Sequence, residues 1–160
     1  LIQDTFTDVI VEKLGEYGCT MTAHVCPGDD AAVITQTIQN MLANGCDMVF
    51  CTGGMSVDPD DRTPGAIKDT GADIVTYGAP VLPGAMFLLS YYDAGDRLVP
   101  ICGLPGCAMY NKRTIFDIVL PRLMARDMIY ADELAGLGEG GLCLNCDVCT
   151  FPNCGFGKGF

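Results

Sequence analysis

Apolar residues recur at helical spacing at Phe6, Val9, Ile10 and Leu14. They predict a helix within Leu1 to Gly18, capped by Asp4 or Thr5 and ended by Gly15 or Gly18. From Cys19 to Val25 the period becomes two, with Met21, Ala23 and Val25 on one side, which reads as a strand broken by Pro27-Gly28. Ile34, Ile38 and Leu42 restore the helical stripe. That helix starts at Asp29 or Asp30, runs to about Ala43, and has Gly45 as its C′ residue. Asp47 to Cys51 is an apolar run suited to a buried strand. Thr63-Pro64 reads as N-cap and first residue of a further helix, and Ala72 to Tyr77 as the next strand. Ala85 to Tyr92 and Arg97 to Cys102 flank Asp93-Ala94-Gly95-Asp96, a hairpin signal. A long helix is expected from Cys107 to about Arg126, kinked or restarted at Pro121, then a short one capped by Asp127 and ending near Leu134.

Helices alternating with strands, plus one hairpin, predict an α/β fold: a three-layer sandwich with a mostly parallel sheet flanked by helices. Ligands of such sheets bind outside the carboxyl ends of the strands. The loops at Gly53 and at Gly103-Leu104-Pro105-Gly106 both follow strands and precede helices, so they are expected at one edge, facing one ligand. This domain is expected over residues 1–135. Residues 136–160 read as a glycine linker (Gly136 to Gly141) and a short Cys-rich C-terminal tail.

The stretch from Met48 to Ile67 carries the densest candidate chemistry. Thr52, Gly53 and Gly54 end a strand abruptly, and a glycine pair lets a ligand approach backbone N–H groups closely. Asp58, Asp60, Asp61 and Arg62 crowd the following loop, just before the helix at Thr63. Such a strand, turn, carboxylate cluster and helix start suit a phosphate or metal-phosphate site. The same residues also read as an acidic surface loop after a core strand.

Charge narrows the partners. The 160 residues carry a formal net charge of −11, which argues against nucleic acid and anionic membrane surfaces. No apolar run is long enough to span a membrane and no secretory signal opens the chain. The first residue is Leu1, not Met, which points to a domain cut from or fused to a longer chain. Ten cysteines in so apolar a chain fit a reducing cytoplasm, with metal rather than disulfides at the tail.

Thr52-Gly53-Gly54, then Asp61 with Thr63-Pro64, then Leu104-Pro105-Gly106 before a helix with Val119 and Pro121, resembles the molybdopterin-binding domain of molybdenum-cofactor biosynthesis proteins. That family includes molybdopterin adenylyltransferase and the third domain of molybdopterin molybdotransferase. The resemblance runs from about Ile2 to Leu123 and leaves the tail outside it. It implies a domain that binds molybdopterin or molybdenum cofactor, in cofactor biosynthesis or delivery. It also implies that Asp61, and Asp29 or Asp30, are the functional carboxylates. Thr52, Gly53, Gly54, Ser56, Asp61, Thr63, Leu104, Pro105, Gly106 and Cys107 would then form the pterin site, with Lys112 and Arg113 as a source of positive charge. A second reading is an active adenylyl- or molybdotransferase domain in which Asp61 and Asp29 hold Mg²⁺ against phosphate oxygens of ATP. A homo-oligomer, dimer or trimer, follows from the resemblance alone. Three departures weigh against catalysis: the family's first strand is missing before Ile2, Cys107 and Ala108 replace an Asn-Pro pair, and Ala85 stands where molybdotransferases carry lysine.

The tail is a separate signal. Cys143-x2-Cys146-x2-Cys149-x4-Cys154 packs four thiols into a dozen residues. The spacing is close to a ferredoxin run, though the last gap is longer by one and no proline follows. Tetrahedral zinc is the other metal it suits, although zinc knuckles are usually spaced more widely. Phe151, Phe156 and Phe160 would shield a small centre. A third functional reading is therefore an iron–sulfur or zinc redox or interaction module on a non-catalytic scaffold. A disulfide pair, or a disordered tail with reactive thiols, is the plain alternative.

Overall fold

The computed structural model describes residues 4–158. Leu1 to Gln3 of the expected first helix, and Phe160 of the expected aromatic shield, lie outside the described residues. The chain forms an α/β sandwich that divides into two compact units.

One unit comprises Met21–Tyr77 and Met86–Pro105. It holds the sheet, made of β1 (Val49–Thr52), β2 (Asp73–Tyr77), β3 (Leu88–Asp93) and β4 (Leu98–Leu104), in the order β1-β4-β3-β2. β1 runs parallel to β4, whereas β4–β3 and β3–β2 are antiparallel, so the sheet is mixed. The expected hairpin supplies one antiparallel pair, and β2 adds a second by joining its outer edge. The hairpin turn matches its residues: Gly95 has φ +90° and its N–H donates to Asp93 Oδ1 at 2.8 Å.

Two helices of this unit, α2 (Ala31–Ala43) and α3 (Thr63–Asp69), pack on the sheet. Ile34 and Ile38 of α2 and Ala66 and Ile67 of α3 join Val49, Leu88 and Ile101 in one buried cluster. The Thr35 hydroxyl ties the helices together by donating to Ala66 O at 3.1 Å. α2 ends as its sequence suggests: Gly45 has φ +83°, and the Gly45 and Cys46 N–H groups bond Leu42 O and Met41 O. The strand expected over Cys19 to Val25 is absent. That stretch is irregular, and Ala23 and Val25 are exposed. Its alternation has no neighbouring strand to pair with, and a period of two alone does not make a strand.

The other unit comprises Leu1–Thr20, Gly78–Ala85 and Gly106–Phe160. It contains α1 (Phe6–Gly15), α4 (Ile115–Met124) and α5 (Ala131–Gly136), with 3-10 turns at Gly106–Met109 and Leu137–Gly140. Asp4 caps α1 through its Oδ1, which accepts from the N–H groups of Phe6 and Thr7. The long helix expected from Cys107 is instead a 3-10 turn, a break, and then α4. The break falls where Thr114 and Asp117 form a capping box: Thr114 N–H donates to Asp117 Oδ2 at 2.7 Å and Phe116 N–H to Thr114 Oγ at 3.2 Å. Pro121 lies inside α4, which continues past it for three residues. Asp127 does not cap the last helix. It accepts from Arg122 Nε at 2.6 Å, and α5 starts later, where Tyr130 N–H donates to Glu133 Oε2 at 2.8 Å.

Candidate functional site

The site is built on the β1–β4 pair. Because these strands are parallel, their carboxyl ends lie together, and Thr52 is in register with Leu104. The Gly53-Gly54 turn and Pro105 therefore leave the same edge of the sheet side by side. Gly53 and Gly54 have φ of +78° and +57°, which glycine adopts without steric cost. A Cβ on Gly54 would lie 2.8 Å from Thr63 Oγ1, so the turn needs glycine there for space as well. β4 carries a related accommodation: Gly103 leaves room for the buried Met55, whose Cε would stand 2.3 Å from a Cβ at that position.

The loop that follows is held by its own polar groups. Asp61 Oδ2 accepts from Ser56 N–H at 2.6 Å and from Ser56 Oγ–H at 2.7 Å, while Asp61 N–H donates to Asp58 O at 3.0 Å. Asp58 accepts from Asp60 N–H at 3.0 Å, and Arg62 pairs with Asp60 at 3.9 Å on the exposed surface. Thr63 is not the N-cap of α3. Arg62 takes that position without a side-chain bond, and the Thr63 hydroxyl reaches back to Gly53 O at 2.8 Å. This bond ties the glycine turn to the start of α3.

Tyr77 is a participant that local patterning does not reveal. Its hydroxyl donates to Ser56 O at 3.0 Å, bringing the end of β2 onto the Asp61 loop. Burial, then the Asp61 charge, push its pKa up, so it stays a hydrogen-bond donor. The two acidic candidates at the second helix part company. Asp30 is the N-cap of α2, with its Oδ1 accepting from Val33 N–H at 3.0 Å, whereas Asp29 is exposed just before it.

Thr52, Gly53, Gly54, Ser56, Asp61, Thr63, Leu104 and Pro105 thus all belong to the sheet unit and its carboxyl edge. Gly106 and Cys107 follow directly in the chain and open a 3-10 turn, whose Cys107 O accepts from Asn111 Nδ2 at 2.9 Å. Burial pushes the Cys107 thiol up.

Residues 1–125 match the family model described as "Probable molybdopterin binding domain". The chain belongs to this family. The chain is 36% identical over 70 residues to a molybdenum cofactor biosynthesis bifunctional protein of Synechococcus elongatus, covering 44% of its own length and 22% of that protein. It is 24% identical over 124 residues to a molybdopterin molybdenumtransferase of the same organism, covering 78% of this chain and 30% of that protein. The domain therefore spans less than a third of the length of either relative. Among the described residues no helix is long and apolar enough to cross a membrane.

Asp61 offers a ligand atom for the Mg²⁺ that the family resemblance implies. Mg²⁺ is usually held by one or two carboxylates together with substrate phosphates and water. Asp61 Oδ2 is committed to Ser56, but among the described residues Asp61 Oδ1 accepts no hydrogen bond. The donor set fits a cation shared with a phosphorylated ligand rather than one caged by protein alone.

Proposed function

We propose that this domain binds molybdopterin or molybdenum cofactor at the carboxyl edge of the β1–β4 pair and acts in molybdenum cofactor biosynthesis or delivery. The observation that carries the reading is the register of Thr52 with Leu104, which sets a left-handed glycine turn beside the Leu104-Pro105 segment at one sheet edge. Backbone N–H groups at Gly53 and Gly54 supply donors for a pterin or its phosphate, with no side chain in the way. The Ser56–Asp61 bonds hold the loop in a fixed shape, so little ordering entropy is lost on binding. Family membership and the two biosynthetic relatives support the same assignment.

In this reading Asp61, with Asp29 as a second carboxylate, would hold Mg²⁺, which would supply positive charge to the ligand phosphate. Binding without turnover is the preferred form, because Cys107 and Ala85 stand where the family's motifs carry asparagine and lysine. Cytoplasmic location, a homo-oligomeric state and a place within a longer polypeptide belong to the same proposal. Anaerobic purification of the chain, followed by oxidation and pterin fluorescence, tests it. Released pterin with no adenylyl transfer from Mg-ATP supports a binding domain. Transfer to added molybdopterin would make it an active transferase, and an absence of pterin both as purified and after incubation with molybdopterin would overturn the assignment.

A further inference from the structure

The tail is an ordered part of its unit. Leu82 N–H donates to Gly141 O at 2.6 Å and Cys143 N–H to Leu82 O at 2.8 Å, forming a parallel bridge that fixes the entry to the tail. Gly157 N–H returns to Gly140 O at 2.9 Å, fixing the exit. Phe156 is buried, and its ring lies 6.2 Å from that of Phe151. The stretch read as a linker is a 3-10 turn. A Cβ on Gly138 would lie 3.3 Å from Pro80, and one on Gly141 would lie 2.1 Å from Pro80 O.

Within this frame Cys143, Cys146, Cys149 and Cys154 line a single cavity of about 100 Å³ together with Phe151 and Phe156. All four are free thiols, so no disulfide consumes them. Four thiols around one apolar cavity call for a soft metal centre, because thiolates otherwise repel and oxidise. Charge agrees: Lys112 and Arg113 border the same cavity, and the Arg113 guanidinium lies 5.2 Å over the Phe151 ring. Arg113 is paired with Asp117 at 2.8 Å and Glu16 at 3.4 Å, so Lys112 is the cation that adds positive charge beside a tetrathiolate centre.

Sulfur spacing separates the two metals. Zinc–sulfur bonds of about 2.3 Å place the thiolates of one tetrahedral ion about 3.8 Å apart. Among the described residues, no three of the tail thiols lie within 4.8 Å of one another. A four-iron cluster binds each thiolate to a different iron, so its ligands stand further apart around a shared volume. We propose that Cys143, Cys146, Cys149 and Cys154 bind a [4Fe–4S] cluster, shielded by Phe151 and Phe156, with Lys112 at its border. The proposal is independent of the pterin site.

The test is anaerobic incubation of the full chain with equal amounts of ferrous and ferric iron and with sulfide, the mixture that supplies the two ferrous and two ferric ions of the cluster, followed by desalting. Expected are about four iron and four acid-labile sulfide per chain, with broad absorption near roughly 400 nm. Cys146→Ser and Cys149→Ser should each lower retained iron by more than half, with an unchanged far-ultraviolet circular dichroism spectrum. Cys26→Ser, an exposed thiol outside the tail, should keep the full complement. Retention of one zinc per chain that blocks iron uptake, failure to retain iron, or equal loss in Cys26→Ser would each overturn the proposal.

Discussion

Asp117 is the most consequential buried charge in the protein, and its replacement by Asn has a calculable cost. Its Oδ1 accepts from Lys13 Nζ at 2.5 Å and from Arg113 NH1 at 2.8 Å, and its Oδ2 accepts from Thr114 N–H at 2.7 Å. The Lys13 and Asp117 side chains are only 9% and 3% exposed. Asn preserves shape and one acceptor but removes the counter-charge. Lys13 then keeps only a neutral acceptor, Lys112 O at 3.3 Å, whereas Arg113 keeps Glu16 at 3.4 Å. Breaking a buried pair in this way typically costs about 3–5 kcal/mol. For a chain of this size that corresponds to a fall in Tm of roughly 6–20 °C, from about 2–4 °C per kcal/mol. Urea unfolding of wild type, Asp117→Asn and the double variant Lys13→Met/Asp117→Asn measures it, with a constant slope confirming that stability alone changed. The double variant, which removes the buried ammonium and keeps an acceptor for Thr114 N–H, should recover most of the loss. A cost below about 1 kcal/mol for Asp117→Asn would refute the view that this carboxylate neutralises a buried ammonium.

Three further outcomes follow from particular contacts. Gly84→Ala should destabilise the fold by about 2–4 kcal/mol in the same urea assay, because its φ is +128° and a Cβ would lie 2.4 Å from Ile115 Cγ2. Burial pushes the Cys51 thiol up to about 12 from an ordinary 9.0. The unfolded chain ionises first, so this thiol's contribution to stability is intact below about pH 9 and is lost as pH rises towards 12, which unfolding at stepped pH would register against a Cys51→Ala reference. In the native chain freed of metal, Cys51 and the fully buried Cys102 should resist alkylation at pH 8 while Cys26, Cys146 and Cys149 react, as peptide mapping would show.

Much of this fold is legible in local chemistry. Asp30 and Gly45 bracket α2 as their capping chemistry requires, and the Asp93–Asp96 turn makes the hairpin. The break before α4 carries a readable signal in Thr114-x-x-Asp117, which reading one helix from Cys107 to Arg126 passes over. The strand expected at Cys19 to Val25 illustrates the opposite limit. Strand formation needs a partner, and no periodicity supplies one. The mixed sheet is unreadable for the same reason, since the side on which β2 joins is decided by packing. At the site, the glycine turn and Asp61 are visible in sequence because turn geometry and clustered carboxylates are local. The bonds that shape them are not: Tyr77 reaches Ser56 from 21 residues away. Which of Asp29 and Asp30 caps α2 is likewise decided by the bond from Val33 N–H to Asp30 Oδ1.

The most direct test of the central claim is an anaerobic equilibrium titration of molybdopterin into the wild-type chain and into Asp61→Asn, with Mg²⁺ present. The predicted result is saturable one-to-one binding to wild type, weakened about tenfold or more, about 1.4 kcal/mol, in a variant whose melting curve is little changed. Equal affinity in the two proteins would remove Asp61 from the site. No binding to a folded wild-type chain would contradict the account itself.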